Sequence, residues 1–140
     1  MKNNLNIDFN IVGKKILIVE HNDRNYYLSE RIFSHTGIKY FRVQRSLEAL
    51  RMTLKAFDLV LMNLLSVDCF FVAQKIKILK PDLPVIVHSS EFSEEDKQKF
   101  IDAGCNGFLF DPLQKESTIN EIKKCLTTKS KKPQYFEAYF

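Results

Sequence analysis

Five short apolar segments alternate with segments of helical periodicity, and this alternation constrains the fold more than any other feature of the sequence. The apolar segments lie at 14–20, 38–43, 58–64, 84–90 and 107–112. The helical segments follow them at 23–37, 46–57, 69–80, 93–104 and 115–127. Buried strands that alternate with helices are typical of a parallel sheet covered on both faces. Because such crossovers are right-handed, the sequence predicts an α/β fold with a doubly wound, five-stranded parallel sheet.

Capping signals mark the ends of several predicted helices. Ser46 is expected to cap the second helix. The apolar stripe of that helix is predicted to consist of Leu47, Leu50, Leu54 and Phe57. Ser93 and Asp96 have the spacing of a capping box at the start of the fourth helix. Gly37 and Gly104 are expected at the C-terminal ends of the first and fourth helices.

The 140 residues are expected to form one domain with an extension at each end. The domain is predicted to span 14–127. The extension at 1–13 contains an alternating apolar pattern at 5–11, which predicts an added strand or an ordered contact with a sheet edge. The tail at 128–140 is first basic and then aromatic, and its clustered aromatic side chains are expected to dock on a protein surface.

Charge and composition argue against several classes of function. The net charge is +4, but the stretch 123–132 carries five lysines and no acid, which leaves −1 for the rest of the chain. We therefore do not expect binding to nucleic acid, which usually requires basic residues across the domain. No apolar run approaches the roughly 18 residues of a membrane span, and the N-terminus lacks the apolar core of a signal peptide. Three cysteines without CxxC spacing fit a reduced, cytoplasmic protein.

Polar residues stand where the predicted strands end. Glu20 and His21 come at the end of the first strand, Asn63 ends the third, Ser89 the fourth and Asp111 the fifth. In doubly wound sheets, function gathers at the carboxyl ends of the strands, so these side chains are the candidate functional residues. The sequence contains neither a GxGxxG fingerprint nor a phosphate-binding P-loop, so these motifs give no support for nucleotide binding.

Four segments of the chain can be compared with known families: KKILIVE (14–20), DLVLMN (58–63), PDLPVIVHSS (81–90) and DAGCNGFLFDP (102–112). Together they resemble the receiver domain of bacterial two-component response regulators. They stand in the order and spacing of that family, and the resemblance covers 14–127. It implies a flavodoxin-like, CheY-like fold with strand order 2-1-3-4-5. It also implies a place in two-component phosphorelay signal transduction.

The resemblance assigns a role to each of these positions, and most of the family's chemistry is altered. The position of the phosphoacceptor aspartate holds Asn63, and an amide is not a nucleophile. The acidic pair that holds Mg²⁺ in the family reads Glu20 and His21 here, and the lysine position holds Asp111. Because Mg²⁺ prefers oxygen ligands, we expect its binding to be weak or absent and predict no metal site.

The switch positions of the family are closer to the usual pattern, with Ser89 as the hydroxyl residue and Phe108 as the aromatic residue. The combination implies a degenerate receiver, or pseudo-receiver, without catalytic residues or enzyme activity. We expect a stand-alone module that binds protein partners independently of phosphorylation, in bacterial signalling or regulation. The expected contact surface is formed by the fourth helix, fifth strand and last helix, or by the chain ends. It would bind a protein partner or a second copy of the chain.

A second hypothesis is a ligand- or metal-sensing module that uses the altered pocket. His21 and His88 would then hold a transition metal together with Glu20 and Asp111. The strand order argues against a contact between Asp111 and His21, because the first and fifth strands lie about 14 Å apart. Ser89, on the neighbouring strand, is therefore the predicted partner of Asp111.

A third hypothesis is a true phosphoacceptor receiver that uses a displaced aspartate. The candidates are Asp68, in the loop after the third strand, and Asp23, after the first strand. Asp68 is also expected to cap the third helix.

Overall fold

The chain folds into one parallel sheet with helices on both faces. The computed structural model describes residues 8–64 and 67–127, and no helix in these ranges is long and apolar enough to cross a membrane. The strands are β1 (Lys15–Val19), β2 (Lys39–Val43), β3 (Leu59–Asn63), β4 (Val85–Ser89) and β5 (Gly107–Phe110). The helices are α1 (Asp23–Phe33), α2 (Ser46–Met52), α3 (Val67–Leu79), α4 (Glu94–Asp102) and α5 (Lys115–Thr127). The order β2-β1-β3-β4-β5, with all pairs parallel, confirms the predicted flavodoxin-like fold.

Side-chain alternation along the strands divides the core into two layers. On the face covered by α1 and α5, Ile16 and Ile18 pack with Phe33 and Ile122. On the other face, Leu17 packs in the layer covered by α2, α3 and α4. Each fully buried side chain of this size contributes about 1.5–3 kcal/mol through lost apolar exposure. Packing on both faces holds the strand ends, and therefore the polar residues that follow them, in one register.

α2 is shorter than predicted and buries different residues. It ends before Leu54 and Phe57, which the predicted apolar stripe included. The residues buried here are Ala49 and Thr53, at 0% and 1% exposure, whereas Leu47 and Leu54 are 58% and 69% exposed. Small side chains at 49 and 53 let this segment lie close to the sheet. Leu50 and Phe57 pack partly buried against the same core layer, whereas Leu47 and Leu54 lie at the surface.

The capping predictions are confirmed at α4 and are wrong at α1 and α2. Ser93 caps α4, because its Oγ accepts a hydrogen bond from the backbone N–H of Asp96 at 2.9 Å, and Gly104 follows the helix with φ +101°. Ser46 is the first residue of α2 rather than its cap. Gly37 lies in the turn after the end of α1, where φ is +84° and a Cβ atom would meet the Val12 side chain at 2.5 Å.

Most of the two chain extensions lies outside the described residues. This applies to the part of the predicted strand at 5–7 and to the predicted docking of the tail at 128–140. Residues 9–13 form turns, so of the two alternatives predicted for 5–11 the added strand is not formed at 8–11. Ile11 is buried in the α1/α5 layer, and Asp8 forms an ion pair with Lys123 of α5 at 2.7 Å. The Lys123 ammonium lowers the pKa of the Asp8 carboxyl.

Candidate functional site

Three of the predicted site residues meet at the carboxyl edge of the sheet. Asn63 ends β3, and Glu20 and His21 follow β1 directly. A pocket of about 480 Å³ lies beside them, bordered by the first residues of α2 and α3. Its polar lining residues are Glu20, His21, Gln44, Arg45, Ser46, Glu48, Arg51, Asn63 and Asp68. The fold therefore brings Glu20, His21 and Asn63 together as the sequence predicted.

The side chains of Asn63 and Glu20 are hydrogen-bonded to each other at this edge. Asn63 Nδ2 donates to Glu20 Oε1 at 2.8 Å and to Oε2 at 2.9 Å. The backbone N–H of Asn22 also donates to Oε2, at 3.1 Å. Glu20 and Asn63 are only 1% and 3% exposed. An ionised carboxylate can only accept hydrogen bonds, so it orients the amide with its nitrogen toward Glu20 and its oxygen away.

Arg42 of β2, which the sequence reasoning missed, anchors the loop after β1. Its Nε donates to the carbonyl oxygen of Glu20 at 2.9 Å, and its Nη1 lies 2.9 Å from Asp23 Oδ1. Its guanidinium carbon lies 4.5 Å from the centre of the Tyr26 ring. Asp23, a candidate displaced acceptor, is therefore an ion-pair partner in the first turn of α1. The available signal was a single arginine at an inner position of the strand KYFRV.

The Asp111 carboxylate pairs with His88 and not with the Ser89 hydroxyl, so the predicted side-chain partner was wrong. His88 Nδ1 and Asp111 Oδ1 are 2.6 Å apart. The His88 side chain is 1% exposed and that of Asp111 is 18% exposed. Alternation explains the choice, because Ile86 and Leu109, two residues earlier in each segment, belong to the same core layer. The sequence carried this signal, since residues two apart on a strand face the same side.

Asn63 and His88 join the polar residues at the strand ends into one row across the sheet, in which every side chain except the partly exposed Asp111 is buried. They are register partners on β3 and β4. The row runs from Glu20 beside β1, through Asn63 and His88, to Asp111 after β5, and all four side chains lie on the α1/α5 face. Asn63 Oδ1 and His88 Nε2 are buried there without a hydrogen-bond partner. The row contains two acids, one amide and one imidazole, and it contains no lysine or arginine.

Ser89 and Phe108, the residues at the switch positions, lie on the opposite face of the sheet. Ser89 Oγ donates to the carbonyl oxygen of Glu91 at 2.9 Å and accepts from its backbone N–H at 3.1 Å. The ring of Phe108 packs edge-on against Phe92 with 5.5 Å between ring centres. Phe92 packs in the same way against Phe110, at 5.9 Å. On the face covered by α4, the Ser89 hydroxyl is therefore hydrogen-bonded to Glu91 and the Phe108 ring is packed against Phe92.

The structure separates the residues considered for a metal site. His21 has a 57% exposed side chain and lies 3.8 Å from Glu20 Oε2, whereas His88 pairs with Asp111. Within 8–64 and 67–127, no group of three or more His, Cys, Asp and Glu side chains could hold a metal ion. Asp68 lies exposed in the first turn of α3, beyond the capping position predicted for it.

Solved structures share this fold over most of their length. A CheY-like receiver domain protein from Methanospirillum hungatei is 21% identical with a TM-score of 0.77, covering 83% of this chain and 95% of that chain. The receiver domain of a Syntrophus aciditrophicus histidine kinase is 21% identical with a TM-score of 0.74, covering 86% and 96%. A receiver domain from a Pseudomonas aeruginosa sensor histidine kinase, solved with magnesium in its active site cleft, is also 21% identical, with a TM-score of 0.73 and coverage of 83% and 99%.

The sequence comparisons give the family. No curated protein matches the chain. The family model of the response regulator receiver domain matches residues 16–123, which include all of the sheet except Lys15 and most of α5. With the strand order and the positions of the site residues, this match is decisive: the chain belongs to the response regulator receiver domain family of two-component signalling.

Proposed function

We propose that this receiver domain acts independently of phosphorylation, as a protein-interaction module in bacterial signal transduction or regulation. The observation that supports this most strongly is the Asn63 side chain, which donates to both carboxylate oxygens of Glu20. An amide nitrogen is not nucleophilic because its lone pair is delocalised, whereas covalent phosphoryl transfer needs an activated nucleophile. The residue at the acceptor position thus serves as a hydrogen-bond donor within the domain.

The donor set does not suit Mg²⁺, which the family uses at this edge. Mg²⁺ requires near-octahedral oxygen coordination and loses its water reluctantly. Both oxygens of Glu20 are already engaged by N–H donors, and the Asn63 amide presents its nitrogen to them. His21 supplies an exposed imidazole where the family has a second acid. A bound Mg²⁺ would have to break these hydrogen bonds and find oxygen ligands elsewhere, so the proposed function involves no metal.

The charge of the row also opposes a phosphoryl group. In the family, a lysine from the fifth strand neutralises phosphate charge at this place. Here Asp111 occupies that position and Glu20 lies further along the same row. His88 is the nearest basic group to Asp111, and its Nδ1 is engaged by that carboxylate. A phosphoryl dianion would therefore meet acids where the family offers a cation, and like charges in a buried site repel strongly.

The output of such a module passes through contacts with other proteins. The face formed by α4, β5 and α5 exposes two large apolar side chains, Phe110 at 62% and Ile101 at 45%. Exposed large apolar side chains bordered by polar residues are typical of protein-interaction surfaces. This face is our proposed contact surface, either for a protein partner or for a second copy of the chain.

The test is phosphoryl transfer from acetyl phosphate in the presence of Mg²⁺, read by intact mass. We expect no hydroxylamine-sensitive adduct of about 80 Da, the mass of one added phosphoryl group. A receiver domain that retains its acceptor aspartate, treated in parallel, shows that the donor is active. A stoichiometric adduct would contradict the proposal, and peptide mapping would then show whether Asp68 or Asp23 carries it.

A further inference from the structure

The segment through which the chain leaves β4 carries contacts on both faces of the sheet. It spans 88–92, between the last residues of β4 and the start of α4. This segment includes Ser89, and in the family a hydroxyl at that position moves to the phosphoryl group when the domain switches. Its contacts therefore decide whether this chain can switch at all.

On the α1/α5 face, the His88 side chain of this segment contacts Asp111, the residue that follows β5. The His88 Nδ1 to Asp111 Oδ1 distance is 2.6 Å, and the His88 side chain is 1% exposed. Hydrogen bonds of an imidazole to a carboxylate are stronger than those between neutral groups, and a buried site screens them little. The groups nearby in the row are Glu20, which is bonded to Asn63, and the uncharged Asn63 amide itself.

On the opposite face, Phe92 of the same segment packs against two side chains of β5. Its ring meets the rings of Phe108 and Phe110 edge-on, at interplanar angles of 85° and 87°. The Lys97 ammonium lies 5.6 Å from the centre of the Phe108 ring. Aromatic pairs of this geometry contribute beyond the area that they bury. The contacts of Phe92 thus include the ring at the aromatic switch position.

Between the two contacts, the backbone and the Ser89 hydroxyl are also engaged. The backbone N–H of Asp111 donates to the carbonyl oxygen of Ser89 at 2.9 Å, and that of Leu64 donates to the carbonyl oxygen of His88 at 2.9 Å. The Ser89 hydroxyl donates to and accepts from Glu91. For Ser89 to reach Asn63, the chain would have to break this turn and release at least one of the two side-chain contacts.

We propose that His88–Asp111 on one face and Phe92–Phe108–Phe110 on the other form a clamp that holds the exit of β4 in a single conformation. The clamp replaces the two-state switch of the family by a fixed surface. The α4–β5 side is then presented to partners continuously, whatever occupies the carboxyl edge of the sheet. This inference concerns motion and does not depend on the absence of phosphorylation, because the clamp contacts do not include Asn63.

The experiment is NMR relaxation dispersion on the full chain, without a phosphoryl donor, read at the backbone amides of 88–94 and 107–112. Asp111→Asn removes the charge on one face, and Phe92→Leu removes the aromatic contacts on the other. The matched controls are Asp102→Asn, whose carboxylate accepts a hydrogen bond from Gln98 in the same helix, and Phe71→Leu, at an exposed position of α3. Wild type and controls are expected to show no microsecond-to-millisecond exchange in these segments. Each clamp variant is expected to raise a minor state at least ~10-fold, into the range of about 1–10%.

Exchange across these segments in the wild-type protein would overturn the clamp. So would clamp variants that behave like their controls. If both clamp variants fail to fold, the wild-type measurement still decides, because a second state of the β4 exit populated at about 1% or more on the microsecond-to-millisecond timescale shows exchange there. A phosphorylated protein that shows no exchange in the unphosphorylated state would overturn the proposed function and leave the clamp in place.

Discussion

At the scale of single residues, the Asn63 amide donates hydrogen bonds to both oxygens of the buried Glu20 carboxylate. Asn63→Asp would place two buried carboxylates against each other, at positions where amide and carboxylate are now 2.8–2.9 Å apart. Leaving a buried charge without a partner costs on the order of 3 kcal/mol. We expect chemical denaturation to show a loss of that size in the free energy of unfolding near neutral pH. Asn120→Asp, at an exposed position of α5, is the control and should change stability little.

A second residue-scale prediction concerns recovery of phosphorylation. Asn63→Asp supplies a nucleophile but leaves the imidazole of His21 and the carboxylate of Asp111 in place. We expect the single variant to take up phosphoryl groups from acetyl phosphate at least ~10-fold more slowly than the combination of Asn63→Asp, His21→Asp and Asp111→Lys. Each restored group stabilises charge in the transition state, and ~10-fold corresponds to about 1.4 kcal/mol. Equal rates, measured by intact mass over time, would show that Asp111 is no obstacle.

A third residue-scale prediction uses the buried cysteines. Burial raises the pKa of the Cys105 thiol to about 12 and that of Cys125 to about 11. The thiolate is the reactive form, so the native protein should react slowly with a disulfide reagent at about pH 8. Denaturant should make all three thiols react at the rate of free cysteine. Fast reaction of Cys105 or Cys125 in the native protein would show that these sites open readily.

The sequence predicted correctly where the site residues lie, but it did not predict which side chains they contact. Reading strand ends placed Glu20, His21 and Asn63 at one edge, because strand boundaries follow from apolar runs. The pairing of Asp111 with His88 was missed, because proximity in strand order was weighed ahead of side-chain alternation. Arg42 was missed because a single polar residue in a strand does not show which neighbouring loop it contacts.

At the scale of elements, Lys77 connects the end of α3 to the starts of β4 and β5. Its Nζ donates to the carbonyl oxygens of Pro81 and Leu83 and to Asn106 Oδ1, at 2.8–3.0 Å. Burial lowers the pKa of this ammonium, and these three acceptors stabilise its charged form. Lys77→Met is expected to lower the free energy of unfolding by about 1–3 kcal/mol, because buried acceptors lose their donor.

The control for this prediction is Lys75→Met, at an exposed position of the same helix. Thermal and chemical denaturation of both variants would measure the difference. If the two variants lose equal stability, the effect belongs to lost charge or helix propensity rather than to the three hydrogen bonds.

The helices also show how far periodicity predicts an element. α4 and α5 were predicted closely, because Ser93 and Gly104 mark the two ends of α4 and helical periodicity runs through 115–127. α2 was predicted too long, because four large apolar residues at helical spacing outweighed the small residues in between. Tertiary packing selected Ala49 and Thr53 for burial, and no local pattern shows that a helix must approach the sheet closely.

At the scale of the whole molecule, the alternation of strands and helices sufficed to predict a doubly wound sheet, because few architectures satisfy that pattern. The strand order came from resemblance to the receiver family, since composition and periodicity do not distinguish the possible orders. A contact surface at α4, β5 and α5 was also expected from that resemblance, and it stays a prediction. The structure adds that Phe110 is 62% exposed on this face, beside the packed rings of Phe92 and Phe108.

The last prediction concerns self-association through the face of α4, β5 and α5. Exposed aromatic residues at the centre of an interface commonly carry much of its binding energy. If this face joins two copies, Phe110→Asp should raise the dissociation constant of the dimer at least ~10-fold, which is about 1.4 kcal/mol. Sedimentation equilibrium over a range of protein concentrations measures this, and Phe71→Asp, at a position 47% exposed on α3, is the control. A chain that lacks 133–140 tests the contact through the tail in the same way. Wild-type protein that stays monomeric at every concentration would contradict the dimer. The proposed contact of this face would then be with a different protein.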